Sequence, residues 1–199
     1  MLISGISWIA SVMWRSFLIR LSQSQNPILM HAQLMEQRVV RISLKAGAYI
    51  ALLGLVAWGT GHPFIFPSLG PTAFALTLHP KENTARTVLG GHLWGVVCGL
   101  LAYHALASGL TITALHTPLA VSSLRLAASG ALSVMLTAAG MVMTRTVHSP
   151  ACATTLIISL GLLPSIPEGG IIMIAVVILF GAHSALRSMR RAQGGITKP

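Results

Sequence analysis

Two histidines and a small set of hydroxyl side chains are the groups in this chain best placed to do chemistry. His92 lies inside an apolar run, at Gly90-Gly-His-Leu-Trp-Gly95, and His148 stands at the mouth of another, His148-Ser-Pro-Ala-Cys-Ala-Thr-Thr. An ionisable side chain at membrane depth normally faces the interior of a bundle, where an imidazole can carry a proton or donate to an anion. The structural alternative for His92 is a neutral ring hydrogen-bonded to a backbone carbonyl of a neighbouring helix. Around the histidines, Ser68, Gly70 and Thr72 in Phe66-Pro-Ser-Leu-Gly-Pro-Thr, and Ser149 and Thr154 beyond His148, offer hydroxyl and backbone donors without charge. A proline at the front of a helix lacks only a donor that would go unused, so two proline-led helix starts are expected to leave N–H groups free to attract an anion. Ser68, Gly70, Thr72, His92, His148, Ser149 and Thr154 therefore form the expected binding site. The bland alternative is that these prolines and threonines only kink and pack helices. The chain has no HExxH, no phosphate-binding glycine loop, no GxSxG and no acidic pair, so no enzyme activity, metal or cofactor is expected.

Holding such groups inside a membrane falls to the apolar runs that fill the rest of the chain. Apolar residues make up 54% of the 199, 8% are charged, and mean hydropathy is +0.78. No soluble domain of this size needs so much apolar matter for one core, which makes this an integral membrane protein whose first partner is the lipid bilayer. The formal charge of +10 would point to nucleic acid in a soluble chain. Here the Lys and Arg flank apolar runs, as they do where they meet anionic lipid and set orientation, so nucleic acid is not an expected partner. Cys98 and Cys152 fall within apolar segments without ligand or redox spacing and read as small buried hydrophobes.

In chain order, residues 1–37 form an N-terminal segment and linker. Residues 1–21 are apolar with Arg15 and Arg20 after, not before, the apolar stretch, which favours an interfacial amphipathic helix over a signal peptide and leaves a seventh span as the alternative. Residues 22–37 read as a polar linker, 38–187 as the transmembrane domain, and 188–199 as a basic cytoplasmic tail. Within the domain, Ala46 to Thr60, Val88 to Ser108, Leu124 to Arg145 and Ile171 to Leu186 are full spans. Phe64 to Leu78 and Pro150 to Leu163 are short and proline-interrupted; the first reaches only about 22 Å as a helix against a hydrocarbon core of about 30 Å. Glycines at 91, 95 and 99, with Gly90, lay a smooth face suited to close helix packing. If the short segments cross, Lys81, Arg86 and Arg145 fall on the cytoplasmic side with both termini; if they are re-entrant, those charges lie outside. The positive-inside rule favours crossing, and so an all-α polytopic protein of about six transmembrane segments. Its two three-helix repeats, about 40–108 and 124–187, would be inverted, with the substrate between their short helices. His62, His104, His116 and His183 are assigned to helix ends and interfaces. The glycine faces make a homo-oligomer an expected assembly.

Phe66-Pro-Ser-Leu-Gly-Pro-Thr-Ala, the stretch Arg86 to Gly95, and His148-Ser-Pro-Ala-Cys-Ala-Thr-Thr-Leu-Ile resemble the signature blocks of the HPP family of integral membrane proteins, over roughly residues 40 to 187. That family is named for a His-Pro-Pro tripeptide followed by Ala-Gly-Ala-Thr; here the tripeptide is His-Ser-Pro, and Cys152 stands where glycine is expected. The resemblance implies a membrane domain usually described with four transmembrane helices. Some plant chloroplast and cyanobacterial members are implicated in nitrite transport, and others carry CBS domains that this sequence lacks. What it implies for this chain is a transporter or channel for a small inorganic anion such as nitrite, in a bacterial inner membrane. The alternative is a membrane scaffold or sensor of the same family that transports nothing.

Overall fold

The computed structural model describes residues 27–114 and 117–195, with side chains described for 30–114 and 117–189; the expectations for residues 1–21 and for His116 fall outside them. The described residues form six α-helices: α1 Pro27–Thr60, α2 Ile65–Leu78, α3 Ala85–Ala102, α4 Val121–Thr144, α5 Ala151–Ser159 and α6 Ile166–Gly195. A π-helical turn, Tyr103–Ala107, prolongs α3. Among the described residues four helices are long and apolar enough to cross a membrane, over Met30–Thr60, Ala85–Ala107, Val121–Thr144 and Ile166–Met189, while α2 is a shorter apolar helix. Met1–Leu44 forms a unit of its own, and all packing described below lies within the unit from Lys45 onward.

Two boundaries differ from the sequence expectation. The stretch read as a linker is helical from Pro27, because proline suits a first helical position and Leu, Met, Ala, Gln and Glu are good helix formers. At the other end α6 continues to Gly195 instead of stopping near Leu186.

Three helix ends close in the same way. Gly61 (φ 72), Arg145 (φ 56) and Gly161 (φ 78) are left-handed. The next residue's N–H then reaches back across the last turn, His62 to Ala57 O at 3.2 Å, Thr146 to Met141 O at 2.9 Å and Leu162 to Ile157 O at 3.0 Å. This is the Schellman closure, which satisfies carbonyls a helix end would otherwise leave open.

α2 departs from expectation in a way that matters for the site. It runs unbroken through Pro71 and starts at Ile65, after Pro63. The N–H of Ser68 is bonded to Phe64 O at 3.2 Å. Gly70 and Thr72 therefore sit in the helix interior, and the proline at 71 removes one donor from the ladder without ending it. The front of α5 is closed too: Ala151, Cys152 and Ala153 donate to His148 O, Ser149 O and Pro150 O at 3.0 to 3.1 Å. Neither helix start holds out the free N–H groups that the sequence pattern promised.

α2 folds back antiparallel on α1. A Cβ on Gly54 would lie 3.2 Å from the Phe66 ring, and one on Gly70 would lie 3.9 Å from Ile50. α3 is the hub of the bundle, meeting α4, α5 and α6. A Cβ on Gly91 would lie 2.7 Å from His148 Cβ, one on Gly95 3.0 Å from Ala151 O, and one on Gly99 2.9 Å from Ile158. The rising numbers on both sides mean that the 146–159 segment runs parallel to α3, and the glycine face does the close packing expected of it. Arg86 donates to Thr144 O at 2.9 Å and Arg125 to Leu106 O at 2.7 Å, so α4 is antiparallel to α3. α6 starts beside α3, with Gly169 against Val96, and further along Arg187 donates to Pro80 O at 2.8 Å. The core joins Leu53 and Ala57 of α1, Ile65, Leu69 and Leu76 of α2, Val88 and Val96 of α3, Ile157 and Ile158 of α5, and Ile172, Val176 and Leu179 of α6. Large apolar side chains such as Trp58 (85% exposed) and Met143 (83%) cover the outer faces, as a lipid-bathed surface requires.

Candidate functional site

Five polar side chains meet at the centre of the bundle: Ser68 and Thr72 from α2, His92 from α3, His148 from the α4–α5 connection and Thr154 from α5. The α2 pair is four residues apart, so one helix face presents both hydroxyls. His92 lies between the hydroxyls: its Nε2 is 2.8 Å from Thr72 Oγ1 and its Nδ1 is 2.8 Å from Thr154 Oγ1. Thr154 Oγ1 is 2.8 Å from Ser68 Oγ, and Thr72 Oγ1 is 3.3 Å from His148 Nε2. The result is one unbranched chain, Ser68–Thr154–His92–Thr72–His148, with the two imidazole centroids 5.3 Å apart. Four of its members are wholly buried and His148 is 2% exposed.

Local backbone explains how His148 gets there. In residues 146–149 side chains alternate, Thr146 and His148 buried, Val147 and Ser149 exposed. The missing side chains of Gly90 and Gly91 let Thr146 and His148 press against α3, and the His148 N–H is held 3.4 Å from Met141 Sδ. Ser149 thus points the other way, into a groove of ≈ 250 Å³ that it lines with Val134, Thr137, Met141, Val147 and Cys152.

Of the seven residues expected to bind, five are brought together and two are not. Gly70 faces Ile50 of α1 and Ser149 faces the groove. The hydroxyls also contact imidazoles and each other, where the sequence had them aimed at a ligand beside free helix N–H groups.

No carboxylate, lysine or arginine among the described residues hydrogen bonds to any member of the chain. Of the three acidic residues, Glu168 caps α6: its Oε2 accepts from Ser165 N–H at 2.8 Å while its own N–H donates to Ser165 Oγ. Among the described residues no three His, Cys, Asp or Glu side chains gather as a metal site.

Sequence reasoning missed two features. Thr137 of α4 is buried and bonded to Thr155 Oγ1 at 3.1 Å, next to the chain. The signal was available, since Ser129, Ser133 and Thr137 repeat every four residues on an apolar helix. His183, assigned to an interface, is instead fully buried: Tyr49 Oη lies 2.9 Å and Lys45 Nζ 3.5 Å from its Nδ1, and its Nε2 has no partner among the described residues. Its place on a strongly apolar helix gave no sign of the Tyr49 it would meet.

No curated protein and no solved structure matches the chain. The family model described as the HPP transmembrane region matches residues 32–188, which takes in every helix that contributes to the buried chain, and this protein belongs to the HPP family of integral membrane proteins.

Proposed function

We propose that this protein is a transporter or channel for a small inorganic anion, nitrite-like in size and charge, with the buried Ser68–Thr154–His92–Thr72–His148 chain as its substrate-contacting centre. One observation carries the reading: neutral donors drawn from both halves of the sequence converge in the bundle interior with no carboxylate hydrogen-bonded to them. Buried polar clusters in a membrane bundle are costly and mark ion or substrate paths. Hydroxyls and imidazoles are the donors that receive an anion without fixing a permanent charge in the hydrocarbon. Enclosed as it is, the chain corresponds to an occluded state.

The same reading has the polypeptide cross the bilayer about six times, the two three-helix halves being inverted. Its support is the direction of the helices, with α2 antiparallel to α1 and the 146–159 segment parallel to α3. Both chain ends and the α2–α3 connection then face the cytoplasm of a bacterial cell, in line with the positive-inside rule. The side chain of Asn83 is unsuited to test this, since it is buried and donates to Ala75 O and His79 O. Lys81 is exposed, and in a background lacking Cys98 and Cys152 a Lys81→Cys variant should resist an impermeant thiol reagent in intact cells and react after lysis. Labelling in intact cells would return the chain to four crossings.

Uptake of nitrite into proteoliposomes tests the function. Saturable uptake is expected, and it should weaken or disappear in Thr72→Val, which keeps the branched shape and deletes the hydroxyl. A scaffold that transports nothing is the second reading, favoured by the fact that every member of the chain already has a partner. It gains if no small anion is taken up saturably.

A further inference from the structure

We infer that the Ser68–Thr154–His92–Thr72–His148 chain is a proton path, so that passage of the anion is coupled to movement of a proton. The inference deepens the anion-transport reading and rests on it for the coupling, while the proton path itself is read from hydrogen-bond geometry. A hydroxyl has one proton to donate, and a neutral imidazole has one N–H and one acceptor nitrogen. Those valences allow the observed contacts to be filled in two complete ways. In the first, His148 Nε2–H donates to Thr72, the Thr72 hydroxyl to His92 Nε2, His92 Nδ1–H to Thr154, and the Thr154 hydroxyl to Ser68. In the second, every donor is reversed: Ser68 to Thr154, Thr154 to His92 Nδ1, His92 Nε2–H to Thr72, and Thr72 to His148 Nε2. Both leave each contact with a single shared proton.

One proton carried through converts the first arrangement into the second. It arrives on His148 Nδ1 and forms an imidazolium, whose Nε2–H passes its proton to Thr72 Oγ1. Thr72 hands its own proton to His92 Nε2, and His92 hands the Nδ1 proton to Thr154 Oγ1. Thr154 hands its proton to Ser68 Oγ, whose original proton departs. One proton enters, one leaves, and no bond other than O–H and N–H is made or broken. Turning the hydroxyls and the reverse tautomer of each ring resets the chain.

Charges from neighbouring elements do not interrupt this path. α2 and α5 contribute hydroxyls and α4 contributes the Met141 sulfur. On α6, Glu168 is spent on the helix cap and His183 on Tyr49. A transient imidazolium here has no carboxylate hydrogen-bonded to it, and an unbalanced charge in such surroundings is expensive. The transported anion is the counter-charge at hand, which is why the two movements are coupled.

The full chain reconstituted in liposomes loaded with a pH-sensitive dye tests this. An acid step outside, with valinomycin and equal potassium on both sides holding the potential at zero, drives protons inward with and without external sodium nitrite, and protein-free liposomes give the leak. The expected result is a protein-dependent proton influx that rises with nitrite, slows in D₂O, disappears in Thr154→Val and is retained in Thr154→Ser. His92→Gln, whose amide donates and accepts but does not relay, should lose the flux while thermal unfolding shows it folded. Should Thr154→Val fail to fold, His92→Gln and the isotope effect still decide. Nitrite uptake without protein-dependent proton influx overturns the proton path and leaves the anion reading standing. Proton influx indifferent to nitrite, and to any nitrite uptake, keeps the path and removes the anion. Absence of both sinks the two together.

Discussion

Replacing Gly91 by alanine, next to the same replacement at Gly70, sets two interior helix glycines against each other with different expected costs. Taken alone, Gly→Ala within a helix gains about 0.8–1.0 kcal/mol. At Gly70 the new methyl would find its nearest atom outside its chain neighbours, Ile50 Cδ1, at 3.9 Å, an ordinary contact, but Pro71 disfavours a helical residue with a Cβ before it, which offsets the gain and leaves the change near neutral. At Gly91 it would lie 2.7 Å from His148 Cβ and 3.2 Å from Thr146 O, where carbons prefer about 3.5–4.0 Å. The 146–149 segment must therefore move away from α3 by roughly 1 Å. His148 Nε2 is already 3.3 Å from Thr72 Oγ1, so that displacement takes it out of hydrogen-bond reach. Overpacking costs about 1–3 kcal/mol and the lost hydrogen bond about 0.5–1.5 kcal/mol, which leaves a net loss of roughly 1–3 kcal/mol after the helix gain. Thermal unfolding in detergent, followed by tryptophan fluorescence, should show Gly91→Ala melting roughly 2–12 °C below wild type, at about 2–4 °C per kcal/mol. Gly70→Ala should melt closer to wild type than Gly91→Ala and keep its transport, since Gly70 faces α1 and not the buried chain. Equal stability of the two variants would refute the packing argument. Transport lost in Gly70→Ala would restore that glycine to the site.

Two further outcomes follow from other contacts. Tyr49→Phe removes the 2.9 Å contact to the buried His183 Nδ1 and leaves that of Lys45 Nζ at 3.5 Å, so it should cost about 0.5–1.5 kcal/mol, whereas His183→Phe takes the Nδ1 contact from Tyr49 Oη and Lys45 Nζ together; chemical denaturation should rank Tyr49→Phe as the milder change, and the reverse order would contradict the role given to Nδ1. Gly161→Ala should be among the most damaging surface-loop substitutions, because Gly161 has φ 78 and its Cβ would run into Leu110 O and lie 3.0 Å from the Tyr103 ring; a cost above about 2 kcal/mol is expected from left-handed strain and overlap combined, and a melting temperature equal to wild type would refute it.

Much of this protein was determined by its sequence alone. Composition settles that it is an integral membrane protein, because 54% apolar residues arranged in runs cannot be hidden in one soluble core of this size. Punctuation located the inner helix ends, since Gly61-His62-Pro63, Pro150 and Gly161 act through local backbone chemistry that needs no distant partner, but not the start of α1 at Pro27 or the end of α6 at Gly195. The glycine face of α3 was also legible, because its four-residue spacing is a property of one helix. Ser68, Thr72, His92, His148 and Thr154 could be singled out as polar groups in apolar runs.

What they do to one another was decided only by tertiary structure. Ser68 and Thr154 are 86 positions apart, and His92 and Thr154 are 62 apart, and no local rule says that they share a hydrogen bond. The helix starts were misjudged for the same reason. Proline signals a boundary, yet Pro71 sits inside α2, held there by packing of Leu69, Ala73 and Leu76 in the core. Gly70 was chosen for a free backbone N–H and Ser149 for a hydroxyl at a helix start, but a helix turns about 100° per residue and an extended segment alternates faces, so neighbours in sequence point to different places. Tyr49 and His183 meet across 134 positions, and their bond exists only because α1 and α6 close against each other.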